Sequence, residues 1–531
     1  MKKLIYTVLL LLTVCQVVEA KKIKKNKHKN KVHTITKEQW PDWLDNFIDW
    51  LSSPWQPVWG EFKIDGQNTT APMALFHSNT FQKDLAELRQ IISTANAQND
   101  FVKAYDHIYK DLFNTDHTSK SLTYTIALKG QSAISTWCKN AAFVYLIGLR
   151  PDGDSLSSTQ RTFLHDNVLS EMRYAYTRYG NDPDTLFAGG DWDEVQLWRS
   201  KELVCYLSAY ELMRAAGATP EELFAPRDGL ANVATELYTH STKPFASLSK
   251  VLNTNFTLIT TSALIMSGII LHDRKTTYFN RVAKPDNWAN KGFIRLNEAM
   301  FTGLMRQTEN NGERGFKEAG GYFAFSMESL VPAMVATNNF LGNKKTHITC
   351  NEPADLDWGS LLTFSFISQL LNSQIIDNYK YDTKWVNLVN WYSNTLMQNG
   401  KPPTIDDTDL EKAIPHLAAL KMDNCSVLNG TNLQDAFGIA YDARADYLAA
   451  NNPAPTGYAI SLENYFNKKS GDLILRNTSD SDNVKHYFHL LGETNTNIDK
   501  AKYYISSVIN SGHESPDASS FIITVNEGTI F

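Results

Sequence analysis

From about residue 40 to 399 the apolar positions recur every three or four residues, separated by polar faces and by loops marked with Gly, Pro, Asn and Asp. That period belongs to amphipathic α-helices. The clearest run predicts a helix over 194–216, where Leu197, Val204, Leu207 and Leu212 supply an apolar face and Gly217 supplies a stop. Further helices are predicted over 161–179, 258–272, 293–308, 326–341, 361–371 and 385–397. Many carry apolar residues on more than one side, which suits helices packed in two layers. An α/α toroid, an incomplete helical barrel of antiparallel hairpins, is the architecture expected for this part, with strands scarce.

After Pro402-Pro403 the texture changes. Short β-type runs over 457–462, 472–476, 486–491 and 521–525 are bounded by turn residues. The chain is therefore expected to be mainly α followed by β, ending in an antiparallel β-sandwich that the C-terminus cuts short. The division expected is 1–20 signal peptide, 21–39 basic flexible arm, 40–410 α/α toroid domain and 411–531 the start of the β-sandwich.

The leader rests on Lys2 and Lys3, an apolar run from Leu4 to Val14, and Val18-Glu19-Ala20 as a small-residue cleavage site. It predicts a secreted or extracytoplasmic protein, periplasmic or extracellular. No later stretch reaches the roughly 18–20 apolar residues of a bilayer span, because the run 258–271 is interrupted by Thr260, Thr261, Ser262 and Ser267. A composition of 43% hydrophobic and 20% charged residues excludes a largely disordered chain. The net charge of −6 excludes a generally basic nucleic-acid binder. The one cationic run, Lys21 to Lys31, reads as a solvated tail or as a tether to polyanionic surfaces. Outside the leader the cysteines are Cys138, Cys205, Cys350 and Cys425, with no CxxC pair, so neither a disulfide scaffold nor cysteine-bound zinc is expected. Sequons at Asn68, Asn255, Asn424, Asn429 and Asn477 are open to glycosylation where the host performs it.

No Walker A loop, dinucleotide fingerprint, HExxH or EF-hand loop is present, which argues against nucleotide, zinc-protease and calcium chemistry. Three other patterns carry candidate chemistry. Leu252-Asn253-Thr254-Asn255-Phe256 opens an apolar helix, where amides cap the helix or hold an anion. Gly315-Phe316-Lys317-Glu318-Ala319-Gly320-Gly321-Tyr322-Phe323 reads as a loop that delivers Glu318 and Tyr322 to the entrance of the next helix. Gly512-His513-Glu514-Ser515-Pro516-Asp517-Ala518-Ser519-Ser520-Phe521 groups polar residues before an apolar strand, which also fits a capped turn.

In this order, on this layout, the three patterns resemble the heparinase II/III-like polysaccharide lyases, relatives of alginate lyases and uronyl epimerases. The resemblance spans roughly residues 80–531 and includes weaker likeness over 192–216, 402–407 and 457–462. The family pattern Glu-Gly-x-x-Tyr stands here as Glu318-Ala319-Gly320-Gly321-Tyr322, with Ala319 in place of the first glycine. The pattern His-x-His-x-Asp-x-x-Ser-Phe stands as His513 to Phe521, with Ser515 in place of the second histidine. The toroid pattern Asn-Asn-His or Asn-Asn-Trp is met by Thr254-Asn255-Phe256, which keeps Asn255 and lacks the histidine.

The resemblance implies a lyase that cleaves a uronic-acid-containing acidic polysaccharide by β-elimination, with Tyr322, His513 and Asn255 catalytic and Glu318 and Asn253 binding substrate. The chemistry needs such groups: an amide relieves the charge of the uronate carboxylate as an oxyanion hole does, and a tyrosine moves the C5 proton. With Ser515 at the position of a metal-associated histidine, no cofactor is expected, and a structural zinc is disfavoured, with Asp517 and His486 or His489 as its weak candidate ligands. Two other readings stay open. One is a glycoside hydrolase using acids such as Asp191, Asp193, Glu194, Asp406 or Asp407. The other is a non-catalytic carbohydrate-binding surface glycoprotein.

Overall fold

The structure is a computed structural model that describes residues 81–94, 100–122, 133–176, 192–242, 255–272, 274, 284–297, 300, 315–316, 319–341, 347–351, 373–377, 383–397, 464–467, 472–476, 486–491, 520–525 and 528–529. All of them belong to the compact unit Trp55–Phe531. The helices are α1 (Phe81–Ser93), α2 (Asp100–Leu112), α3 (Ala133–Ile147), α4 (Ser158–Tyr174), α5 (Trp192–Ala215), α6 (Pro220–Thr242), α7 (Asn255–Ile270), α8 (Pro285–Asn297), α9 (Ala319–Leu341) and α10 (Thr383–Thr395). The strands are β1 (His347–Asn351), β2 (Ser373–Asp377), β3 (Tyr465–Asn467), β4 (Asp472–Arg476), β5 (His486–Leu491), β6 (Ser520–Val525) and β7 (Gly528–Thr529). A mainly helical region thus precedes an antiparallel sheet.

Local chemistry sets the helix ends. Ser157 and Gln160 form a reciprocal capping box, so α4 starts at Ser158, ahead of the apolar residues that marked 161–179 in the sequence. The stop expected at Gly217 is present: its φ of +96° lets Ala218 N–H reach Met213 O at 3.0 Å and closes α5. Thr219 and Glu222 then box the start of α6. Pro285 opens α8 eight residues ahead of the sequence expectation; its missing N–H costs nothing at a first helical position, and polar Asp286 and Asn287 hid that turn from the apolar pattern. The expected helix over 361–371 lies outside the described residues. The region expected to be poor in strands contains the antiparallel pair β1–β2, registered His347↔Asp377 to Asn351↔Ser373.

Side-chain contacts orient the helices. Arg199 of α5 bonds Glu236 of α6 at 2.6 Å, and the short 216–219 connection makes these two antiparallel. Arg274, just past α7, reaches Asp228 in the first half of α6, so α6 and α7 are antiparallel. A Cβ on Gly292 of α8 would meet Thr261 and Ile265, and one on Gly268 of α7 would meet Ala289 and Pro285, so α7 and α8 are antiparallel as well. Alternate helices therefore run the same way. α3, α5, α7 and α9 pack side by side, with α4, α6 and α8 against them.

Helix α7 is the centre of this array, with its residues buried from Thr257 through Ile270. Three of its hydroxyls are satisfied within the helix: Thr261, Ser262 and Ser267 each donate to the carbonyl four residues back. This is how a polar-interrupted run is buried in protein, and no helix among the described residues is long and apolar enough to cross a membrane. Contact between α7 and α8 depends on bare glycines. A Cβ on Gly268 would sit 2.4 Å from the Ala289 Cβ and 2.5 Å from Pro285 O. Gly268→Ala is expected to force the helices apart and destabilise the fold by about 1–3 kcal/mol. Urea denaturation checks this; an unchanged midpoint overturns the packing argument.

The sheet is an antiparallel meander in the order β3-β4-β5-β6-β7. Along β4, Asp472, Ile474 and Arg476 are buried while Leu475 is exposed, the period-two alternation of a strand with one covered face. The covered face meets α10. Trp391 Nε1 donates to Asp472 Oδ2 at 2.8 Å, and Arg476 donates to Asn394 O at 2.5 Å and Leu396 O at 2.9 Å. A guanidinium on these carbonyls satisfies the end of α10 and opposes its negative pole. The expected strands over 472–476, 486–491 and 521–525 are found, that over 457–462 lies outside the described residues, and so does the 410/411 boundary.

Candidate functional site

Helices α5 and α9 run parallel and in step. Trp198 meets Phe325 edge to face with ring centroids 6.1 Å apart, and Lys201 pairs with Glu328 at 2.5 Å. A step of three residues on one helix thus matches a step of three on the other. By this register Trp192, the first residue of α5, lies level with Ala319, the first of α9, and Tyr322 lies level with Val195. Helix α7 packs between them, and Ser200 Oγ donates to Thr260 Oγ1 at 3.3 Å. Counting back from that contact, Asn255 also lies level with Val195. The first described residue of α7 is therefore level with the fourth described residue of α5 and of α9.

Three parallel helices thus share one end of the bundle, and Asn255, the first described residue of α7, is buried there at 1% exposure. Tyr322, three residues before Phe325 and thus on the same side of α9, faces α5 and packs partly buried against the core. Gln196, four residues before Ser200, faces α7 from α5. The N-terminal poles of the three helices share one end of the bundle, which favours an anionic group there.

Two of the residues singled out in the sequence, Asn255 and Tyr322, thus lie at one level of neighbouring parallel helices. Tyr322 differs from its expected setting: it lies in the first turn of α9, with Ser326 Oγ donating to its carbonyl at 2.8 Å, and not on a loop. Gly320 and Gly321 suggested a loop, yet glycine is tolerated in a first turn where tertiary contacts hold the backbone. Asn255 is buried so fully that a glycan on its sequon is incompatible with this packing. Asn253, Glu318, His513 and Asp517 lie outside the described residues, as do Asp191, Asp406 and Asp407. Asp193 and Glu194 fall in the first turn of α5, at the same end of the bundle.

The start of α9 is held by an aromatic cluster that also carries the sheet. Phe323 packs on Phe316, Tyr392 and Trp391 with centroids 5.4, 5.3 and 6.1 Å apart. Gly315, at φ +72°, lies flat against Trp391, where an added Cβ would come within 2.2 Å of the indole. Since Trp391 is bonded to Asp472, the helix turn bearing Tyr322 and strand β4 are tied to one ring.

Among the described residues near this end, Arg199 and Lys201 are paired. Arg199 is bonded to Glu236, and Lys201 sits between Glu328 and the Phe325 ring at 3.9 Å. Gln196 is different. It is 2% exposed, and both polar atoms of its amide are without a hydrogen-bond partner. Sequence reasoning passed it over, although a glutamine four residues from a serine on an otherwise apolar helix face is a readable sign. His486 and His489 both lie on strand β5. Among the described residues no three His, Cys, Asp or Glu side chains are grouped to hold a metal. No protein-family model matches the chain, and no curated protein matches it.

Proposed function

We propose that the protein is a secreted polysaccharide lyase that cleaves a uronic-acid-containing acidic polysaccharide by β-elimination. The observation that carries this reading is the placement of Asn255 and Tyr322, far apart in sequence, at one level of neighbouring parallel helices. In this reading the alternating helices close into an α/α toroid, the sheet is one half of a β-sandwich, and the leader directs export.

The uronate carboxylate sits against Asn255, whose amide N–H donates to it at the positive end of α7. This stabilises the enolate-like charge that builds up when the neighbouring proton leaves. Tyr322 takes the C5 proton; the electrons of the C5–H bond form the C4=C5 double bond, and the C4–O4 bond breaks. The leaving O4 receives a proton from Tyr322 or from His513, according to the geometry of the sugar. Glu318 and Asn253, in the segments leading into α9 and α7, bind the flanking hydroxyls. No metal takes part. The arm from Lys21 to Lys31 holds the enzyme near polyanionic chains by charge that salt screens.

Ultraviolet absorbance tests the reading. Mature protein incubated with heparan sulfate, chondroitin sulfate, hyaluronan or alginate is expected to generate the absorbance of an unsaturated uronate on one of them. A flat trace with new reducing ends makes the protein a hydrolase. A flat trace with no new ends removes catalysis altogether.

A further inference from the structure

A buried amide with no partner is costly, because its N–H and C=O groups gave up water and gained nothing. Native proteins keep few of them. Among the described residues two amides have both polar atoms unpartnered, Gln196 and Asn290. Their positions differ. Gln196 lies at the level of Asn255 and Tyr322, on the face of α5 that meets α7. Asn290 lies on α8, which crosses α7 antiparallel, so its level is near Met266, roughly 16 Å down the bundle from Asn255.

We propose that Gln196 is a specificity residue of this site and holds a free hydroxyl of the uronate unit seated on Asn255. The proposal rests on the lyase reading for the identity of the sugar. Its chemistry follows from the amide, which offers two N–H donors and a carbonyl acceptor. A hydroxyl answers both, accepting from the N–H and donating to the C=O. A sulfate ester only accepts and would leave the Gln196 carbonyl buried and unpaired. The residue thereby favours an unsulfated uronate and rejects one sulfated at that position. The paired state of Arg199 and Lys201 points the same way, because neither offers an uncompensated cation to a sulfate.

Three proteins, Gln196→Met, Asn290→Leu and Tyr322→Phe, test this beside the wild type. Calorimetric titration uses size-matched alginate and hyaluronan oligosaccharides and their chemically sulfated forms, alongside thermal unfolding and the unsaturated-uronate assay. Methionine keeps the length of the side chain and removes the unpaired groups. Gln196→Met and Asn290→Leu are both expected to melt a few degrees higher than the wild type. Only Gln196→Met is expected to bind the unsulfated oligosaccharide on the order of 10–100-fold more weakly, with little change towards the sulfated form. Equal binding by the wild type and Gln196→Met, a wild-type preference for the sulfated form, no binding to either form, or a lower melting temperature for Gln196→Met each overturns the proposal. Binding that depends on Gln196 without unsaturated product overturns the lyase reading and leaves the binding role standing. Product that vanishes in Tyr322→Phe and persists unchanged in Gln196→Met does the reverse.

Discussion

Tyr322→Phe is expected to fold as the wild type does and to lose about 10²–10⁴-fold in lyase turnover, the usual worth of a positioned general acid or base. The ring is retained, and with it the packing of Tyr322 against the core at the start of α9. Only the hydroxyl that exchanges protons with C5 and O4 is removed. Loss in kcat with substrate affinity kept is the expected form of the result, since the hydroxyl acts on the transition state more than on the bound sugar. Unchanged turnover in a variant that melts normally removes Tyr322 from the chemistry. Asn255 then stands alone as a buried residue at the start of α7.

Trp391→Ala is expected to cost about 3–5 kcal/mol, a large part of the 5–15 kcal/mol that holds a typical domain together. Three losses coincide. The indole leaves a void against Gly315, Phe323 loses its edge-to-face neighbour, and Asp472, 2% exposed, loses the Nε1–H donor 2.8 Å away. Trp391→Phe separates these effects, because it fills most of the space and removes only the donor; about 1–3 kcal/mol is expected there. The alanine variant is also expected to lower lyase turnover, since the α9 turn bearing Tyr322 is anchored through Phe323 to the same ring. Guanidinium denaturation of both variants checks the energies. A change below about 1 kcal/mol in Trp391→Ala would show that the sheet does not depend on this anchor.

Period and local chemistry made most of the elements legible. The apolar spacing of Leu197, Val204, Leu207 and Leu212 marked α5, and Gly217 marked its end, because a left-handed stop is a property of the residue itself. The short β-type run Asp472 to Arg476, bounded by turn residues, marked β4. Starts were harder. Pro285-Asp286-Asn287 and Ala319-Gly320-Gly321 are polar or glycine-containing first turns, whose helicity comes from the body of the helix packing on its neighbours. Strand β1 escaped notice because a five-residue strand has little period to read, and its partner β2 lies more than twenty residues away.

The candidate site divides along the same line. Sequence alone marked Asn255 and Tyr322 as residues of interest, since each opens an apolar helix within a polar motif, and it determined that the chain is mainly helical before it is β. It did not place the two residues at one level of neighbouring parallel helices or single out Gln196. Those outcomes depend on register between helices. Register is decided by contacts such as Trp198 on Phe325, Ser200 on Thr260 and bare Gly268 against Ala289, where side chains distant in sequence meet at van der Waals distance. A glutamine reads the same in a sequence whether water or protein surrounds it. Only the packing of α7 against α5 buried this one and left its amide without a partner.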